Sequence, residues 1–182
     1  MLPTIMFKKL MEFEGEYSNH TNDTGGETIY GITIVHEPDA FKLIKKYYDI
    51  GRKEHALEIA KIIYDIEYYE KASCKIMENS MVNISIIHQV FDMAVNMGIK
   101  TSIKILQRAI NQYNENNDLK IDGCFGIKTL TALTNINNDK LNNLMVNKRI
   151  EYYNKLCVIN PENKVFLNGW IKRANYFKIG AI

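Results

Sequence analysis

Disulfide, structural-zinc and membrane-spanning architectures all lack the residues they would need in this chain. Its 182 residues include 3 cysteines, Cys74, Cys124 and Cys157, far apart, odd in number and without a CxxC pair. That pattern excludes a disulfide framework and a cysteine-based zinc site, and the three read as reduced thiols in or near a core. The 4 histidines, His20, His36, His55 and His88, show no HxxxH or HExxH spacing, so no metal and no cofactor is expected. No uninterrupted apolar run reaches the ~18 residues of a membrane-spanning helix. Met1 to Phe13 is amphipathic and lacks a basic stretch followed by a continuous apolar one, so it does not read as a signal peptide. Charge of one sign is also missing: 23 Lys and Arg stand against 21 Asp and Glu, a formal net charge of +2. A nucleic-acid binder would show a clustered basic stripe, so that class is excluded, and long-range steering toward an anionic polymer would be weak.

What is present suits a globular chain: 46% apolar and 24% charged residues, enough for a real core in one domain or one domain with a small lobe. Most of the chain reads as helix. A first helix opens at Leu2-Pro3-Thr4, carries Ile5, Met6, Leu10 and Phe13 as its apolar stripe, and ends at Gly15. Further helices are expected over 37–48, 53–73, 83–97, 101–113, 127–133 and 139–158, with a last one carrying Phe166, Trp170 and Tyr176. Asp139 is the expected cap of the sixth of these. The helix over 83–97 is apolar around most of its circumference and reads as the buried centre. Between Gly15 and Ile34 the pattern changes to turn formers followed by β-branched and aromatic residues, which predicts a long loop leading into a short strand or hairpin.

The segment from Glu14 to Thr33 carries the chemistry. A carboxylate at the end of an apolar helix meets a polar, glycine-rich stretch. Cleaving an acetal bond between sugars needs an acid still protonated near neutral pH. The negative potential of a helix C-terminus and partial burial both disfavour carboxylate charge, and Glu14 occupies such a position. The glycines let backbone pass close to a sugar ring, while Asp23, Thr28 and Tyr30 are placed to supply polar contacts opposite the acid.

The run Glu14-Gly15-x-Tyr17, then Asp23-x-Gly25-Gly26-x-Thr28-x-Tyr30-Gly31-Ile32-Thr33, resembles the signature of glycoside hydrolase family 108, a family of N-acetylmuramidases found as phage endolysins and in prophage regions. The similarity continues through Tyr64-Asp65 and Tyr68-Tyr69, where an aromatic pair ending in Trp is more usual. It then passes to Phe91-Asp92-x-Ala94-Val95-Asn96-x-Gly98, Leu106-Gln107, Asp122-Gly123, Gly126-x-x-Thr129 and Gly169-Trp170-x-x-Arg173, which resemble the peptidoglycan-binding-like region that accompanies the catalytic part. Glu16 departs from the family's second glycine. It places a carboxylate two residues from Glu14, either raising that acid's proton affinity by repulsion or pointing to solvent.

The resemblance implies a mainly α, lysozyme-like fold with a small β-hairpin or sheet element lining a cleft. It implies a catalytic region over 1–90 and a helical peptidoglycan-binding-like region over 91–182, packed as part of one compact unit. The implied catalytic residues are Glu14 as acid with Asp23, Thr28 and Tyr30; the implied substrate contacts are Tyr17, Gly26, Tyr68, Tyr69 and Asn96. Several of these keep a structural alternative. Asp23 can shape an Asx turn, and Thr28 and Tyr30, alternating along a strand, can face the cleft or form a cross-strand pair. Tyr64, Tyr68 and Tyr69 suit a core as well as a sugar platform, Trp170 suits packing, and Asp92 and Asn96, four apart on one helix face, suit support of the acid's loop. The implied substrate is the glycan strand of bacterial peptidoglycan, cut at the β-1,4 bond between N-acetylmuramic acid and N-acetylglucosamine by a monomer. The protein would be made in a host cytoplasm and would reach the wall by holin-type release or non-classical export. A lytic transglycosylase and a catalytically silent wall-binding protein are the alternatives.

Overall fold

The structure, a computed structural model, describes residues 1–19, 26–116, 118–134 and 136–180. It divides into two compact units, Met1–Glu70 and Lys71–Ile182.

The first unit starts with α1 (Thr4–Glu14). Leu2, Met6 and Leu10 recur every four residues and are buried together with Phe7, whereas Ile5 is 74% exposed and falls outside the expected stripe. Leu2 N donates to Asp65 Oδ1 at 2.7 Å, which ties the start of the chain to the far end of the unit. The glycine-rich segment is flanked by three antiparallel strands, β1 (Tyr17–Ser18), β2 (Thr28–Ile29) and β3 (Ile32–Thr33), in the order β1-β2-β3. Ile29 pairs with Ile32, leaving Tyr30 and Gly31 as a two-residue turn. Both turn residues have positive φ, +52° and +79°, the requirement of a type I′ hairpin. The expected alternation of Thr28 and Tyr30 along one strand is therefore corrected: the strand stops at Ile29, and Tyr30 sits in a left-handed turn.

α2 (Pro38–Tyr48) and α3 (Lys53–Tyr64) pack on each other. Ala56, Ala60 and Tyr64 recur every four residues and are buried, and the two alanines allow the helices close approach. The single helix expected over 53–73 is not formed. After Tyr64 the chain widens into a π-helical turn, Asp65–Glu70, and α4 (Cys74–Asn79), which sequence periodicity did not reveal, opens the second unit.

The second unit is built on α5 (Ile84–Met97), α6 (Ile99–Tyr113), α7 (Ile127–Ala132), α8 (Asn138–Ile159) and α9 (Lys164–Asn175). α5 buries Ile86, Ile87, Val90, Phe91, Met93 and Ala94, but also Gln89 and Asp92. Ile84 is 53% exposed, so the apolar circumference is narrower than its composition indicates. Asn137, not Asp139, caps α8: its side chain accepts from Lys140 N at 2.9 Å. Cys74 and Cys157 are buried thiols, while Cys124 is exposed.

Candidate active site

Glu14 is the last residue of α1, closed by Gly15, whose N–H donates to Met11 O at 2.9 Å. Glu14 is half-buried, and what stands beside it is the hairpin turn. A Cβ placed on Gly31 would collide with Tyr64 Oη and lie 3.0 Å from both Cβ and Cγ of Glu14. The hairpin is therefore pressed onto the carboxyl-bearing side chain, and only glycine permits that approach. Tyr30, in its left-handed conformation, is held from several sides. Its N–H donates to Glu16 O at 2.8 Å, its carbonyl accepts from Tyr64 Oη at 3.0 Å, and its ring meets Tyr48 edge-on at 5.9 Å. Left-handed backbone costs a non-glycine residue roughly 1–2 kcal/mol, and this network offsets that cost.

On the far side of Tyr64 lies Tyr68, ring centroids 5.6 Å apart. The Tyr68 hydroxyl donates to Glu37 Oε1 at 3.1 Å. Burial pushes the phenol well above the usual tyrosine range, and the negative charges of Glu37 and then Glu14 push it the same way. Glu14, Gly31, Tyr64, Tyr68 and Glu37 thus form one neighbourhood drawn from α1, the hairpin, α3, the π-helical turn and the start of α2. Glu37 is the member that sequence reasoning missed. It stands at the N-cap of α2, where an acidic residue reads as a helix starter, but its side chain makes no capping hydrogen bond; the carboxylate is turned to Tyr68 instead.

Glu16 faces another group. Its Oε1 accepts from Lys53 Nζ at 2.6 Å and from Tyr48 Oη at 2.9 Å. The Lys53 hydrogen bond, then that of Tyr48, holds the Glu16 carboxyl below the usual range. Of the two expected alternatives, repulsion on Glu14 or a carboxylate pointing to solvent, the structure has the second: Glu16 is exposed, in an ion pair whose Lys53 cation balances the charge. Tyr17, 49% exposed, stacks on Tyr48 at 5.9 Å and donates to Glu27 Oε1 at 3.2 Å, and Glu27 also accepts from Lys45 at 2.8 Å. These contacts fasten the sheet to α2.

The remaining expected site residues scatter. Asp23 lies outside the described residues. Thr28 Oγ1 donates locally to Gly26 O at 3.3 Å, and Gly26, with φ of +69°, sits against Ile34. Tyr69 is fully buried, which corrects its placement among the sugar contacts, since a core ring has no face to offer a ligand. Asn96, in the second unit, accepts from Tyr153 Oη at 2.6 Å. Asp92 is the acceptor of two buried guanidinium groups, with Arg149 Nη2 at 2.6 Å and Arg173 Nη2 at 2.9 Å. Asn96 and Asp92 both belong to a hydrogen-bond and ion-pair network within the second unit. Trp170 stacks on Tyr153 at 5.1 Å and on Phe166 at 5.7 Å, a packing role.

Comparison with known proteins agrees with this layout. Residues 7–98, about half of the chain, match the family model for glycosyl hydrolase 108, and residues 101–175 match a predicted peptidoglycan domain. Among solved structures the chain is similar to that of Brucella abortus SagA, at 20% identity and a TM-score of 0.60 over 98% of this chain and 99% of that one. No curated protein matches it. The mainly α, lysozyme-like fold with its three-stranded sheet is the shared architecture. The chain belongs to glycosyl hydrolase family 108 and is a glycoside hydrolase of peptidoglycan that carries a peptidoglycan domain behind its catalytic part.

Proposed function

We propose that the protein is an N-acetylmuramidase that hydrolyses the β-1,4 bond between N-acetylmuramic acid and N-acetylglucosamine, with Glu14 as general acid. One observation carries this reading: the half-buried Glu14 side chain at the end of α1 lies against the Tyr30-Gly31 hairpin turn, which approaches it so closely only because position 31 carries no side chain. A sugar's bridging oxygen needs a proton as its bond to the anomeric carbon breaks, and a fixed carboxyl at that oxygen supplies it. Water then attacks the anomeric carbon. Asp23 is assigned the stabilisation of positive charge at the sugar or the holding of that water, and Thr28 and Tyr30 are assigned polar contacts opposite the acid. Tyr17 and Gly26 line the glycine-rich segment as substrate contacts, and Tyr68, tied to Glu37, positions the wall of the site rather than the proton. The setting supported by the resemblance is a phage or prophage lysin reaching the wall through a holin-type lesion and acting as a monomer.

The test is clearing of purified sacculi by the wild type beside Glu14→Gln. The variant is expected to lose about 10²–10⁴-fold in rate, the usual share of a general acid. Product masses must show reducing muramic acid ends. Residual lysis near the wild-type rate, or 1,6-anhydro ends, would reject the assignment.

A further inference from the structure

The face between α6 and α8 of the second unit holds a surplus of positive charge, Lys104, Arg108, Lys148 and Lys155 against Glu151. A groove of about 460 Å3 runs there, lined by Thr101, Lys104 and Arg108 from α6 and by Lys148, Glu151, Tyr152, Lys155, Leu156 and Ile159 from α8. The spacings of three and four residues put each set on one helix face, so the two faces oppose each other across the groove. α6 contains no acidic residue. The single carboxylate present, Glu151, is bonded to its own helix neighbour Lys148 at 2.9 and 3.0 Å. Among the described residues Lys104, Arg108 and Lys155 make no ion pair. Lys104 is also held in place: its stem packs over Gly123, where an added Cβ would lie 3.2 Å from Lys104 Cγ.

Like charges gathered around one groove repel, and folding alone gives no reason to gather them; an anionic ligand does. The lining is not wholly polar, since Tyr152, Leu156 and Ile159 contribute to it. From Lys148 to Ile159 the helix rise gives a length of roughly 16 Å, which suits about four or five extended peptide residues. Carboxylates at intervals along a short chain with methyl side groups are the chemistry of a peptidoglycan stem peptide. We propose that this groove binds the carboxylates of the stem peptide, with Lys104, Arg108 and Lys155 as the charge contacts and Tyr152 and Leu156 beneath the alanyl methyl groups. The proposal rests on peptidoglycan being the substrate and assigns to the second unit recognition of the peptide rather than of the sugar.

The experiment is calorimetric titration of the full-length protein with a disaccharide-tetrapeptide, the same compound with its carboxyls amidated, a peptide-free glycan oligomer and poly(glycerol phosphate). The wild type is expected to bind the free-acid compound, at least tenfold more tightly than the amidated one, with affinity falling as NaCl rises from 50 to 500 mM. Lys104→Ala/Arg108→Ala/Lys155→Ala is expected to lose about tenfold or more, while Lys104→Arg/Lys155→Arg retains affinity. Circular dichroism and the melting temperature verify that both variants fold. Binding of the triple alanine variant within twofold of the wild type would overturn the proposal. So would equal binding of the amidated compound, or tighter binding of poly(glycerol phosphate). Reducing ends released from the peptide-free glycan report on the hydrolytic reading alone, so failure of one reading is distinguishable from failure of the other.

Discussion

A side chain at position 31 would meet Tyr64 Oη and lie 3.0 Å from Cβ and Cγ of Glu14, on a backbone with φ of +79°. Gly15 has nearly the same φ, +77°, but nothing within 4 Å of an added Cβ. Gly15 has ψ of −177°, a combination essentially confined to glycine, so Gly15→Ala is expected to destabilise by about 1–3 kcal/mol from backbone conformation alone. Gly31→Ala adds overlap with two neighbours that are themselves fixed, for a total of about 2–4 kcal/mol. Because the overlap falls on Glu14, Gly31→Ala is also expected to slow sacculus clearing far more than Gly15→Ala does. Urea midpoints and turbidity rates on both variants check this; equal behaviour would mean that the hairpin does not bear on the carboxyl.

At the scale of elements, the sequence motifs turn out to mark two kinds of work. The glycine-rich run was legible as a hairpin beside a carboxylate because its turn formers and β-branched residues admit few other conformations. The later motifs were legible as residues but not as roles. Gln107, Asp122, Gly123 and Thr129 come together as a staple: Gln107 Nε2 donates to Asp122 Oδ1 at 2.9 Å, and Gly123 N donates to Gln107 Oε1 at 2.9 Å. Asp92 and Arg173, from α5 and α9 of the second unit, meet as a buried ion pair with Arg149. Contacts spanning 81 residues leave no trace in local periodicity, which is why Asp92 read as support for the acid's loop. The π-helical turn was hidden for a related reason, since one widened turn preserves an apparently helical pattern. Glu37 was hidden because an acidic N-cap has an ordinary explanation. Removing the charge of Asp92 tests the structural role. Asp92→Asn leaves two buried guanidinium groups without their counter-charge and is expected to cost about 3–5 kcal/mol, seen as a lowered urea midpoint. A loss under 1 kcal/mol would show that the cations are otherwise balanced.

For the molecule as a whole, the titrating groups agree in direction at high pH. Tyr30, Tyr48, Tyr68 and Tyr153 all hold their protons more tightly than a free tyrosine, chiefly because burial disfavours the phenolate. Lys45 and Lys53 are shifted upward as well, by hydrogen bonds to Glu27 and to Glu16 respectively. A group whose pKa is raised by folding contributes stability that is complete below its unfolded value and is lost as pH rises through the folded one. From about pH 10 upward the unfolded chain releases phenolic protons that the folded chain retains, so stability falls with pH there. Between pH 6 and 9 none of these groups changes protonation in either state, and they leave the stability flat. The buried Cys74 thiol is likewise held well above its usual range by burial, and an unfolded cysteine titrates at about 8.5. Urea midpoints are therefore expected to hold level from about pH 6 to 8, to begin falling there and to drop more steeply above pH 10. Tyr68 has Glu37 and Glu14 beside it, so Tyr68→Phe should make the drop shallower, and ultraviolet difference absorbance should show one late-titrating phenol removed. A midpoint unchanged at pH 11.5, or a Tyr68→Phe slope equal to that of the wild type, would mean that this phenol ionises in the folded protein as freely as in water.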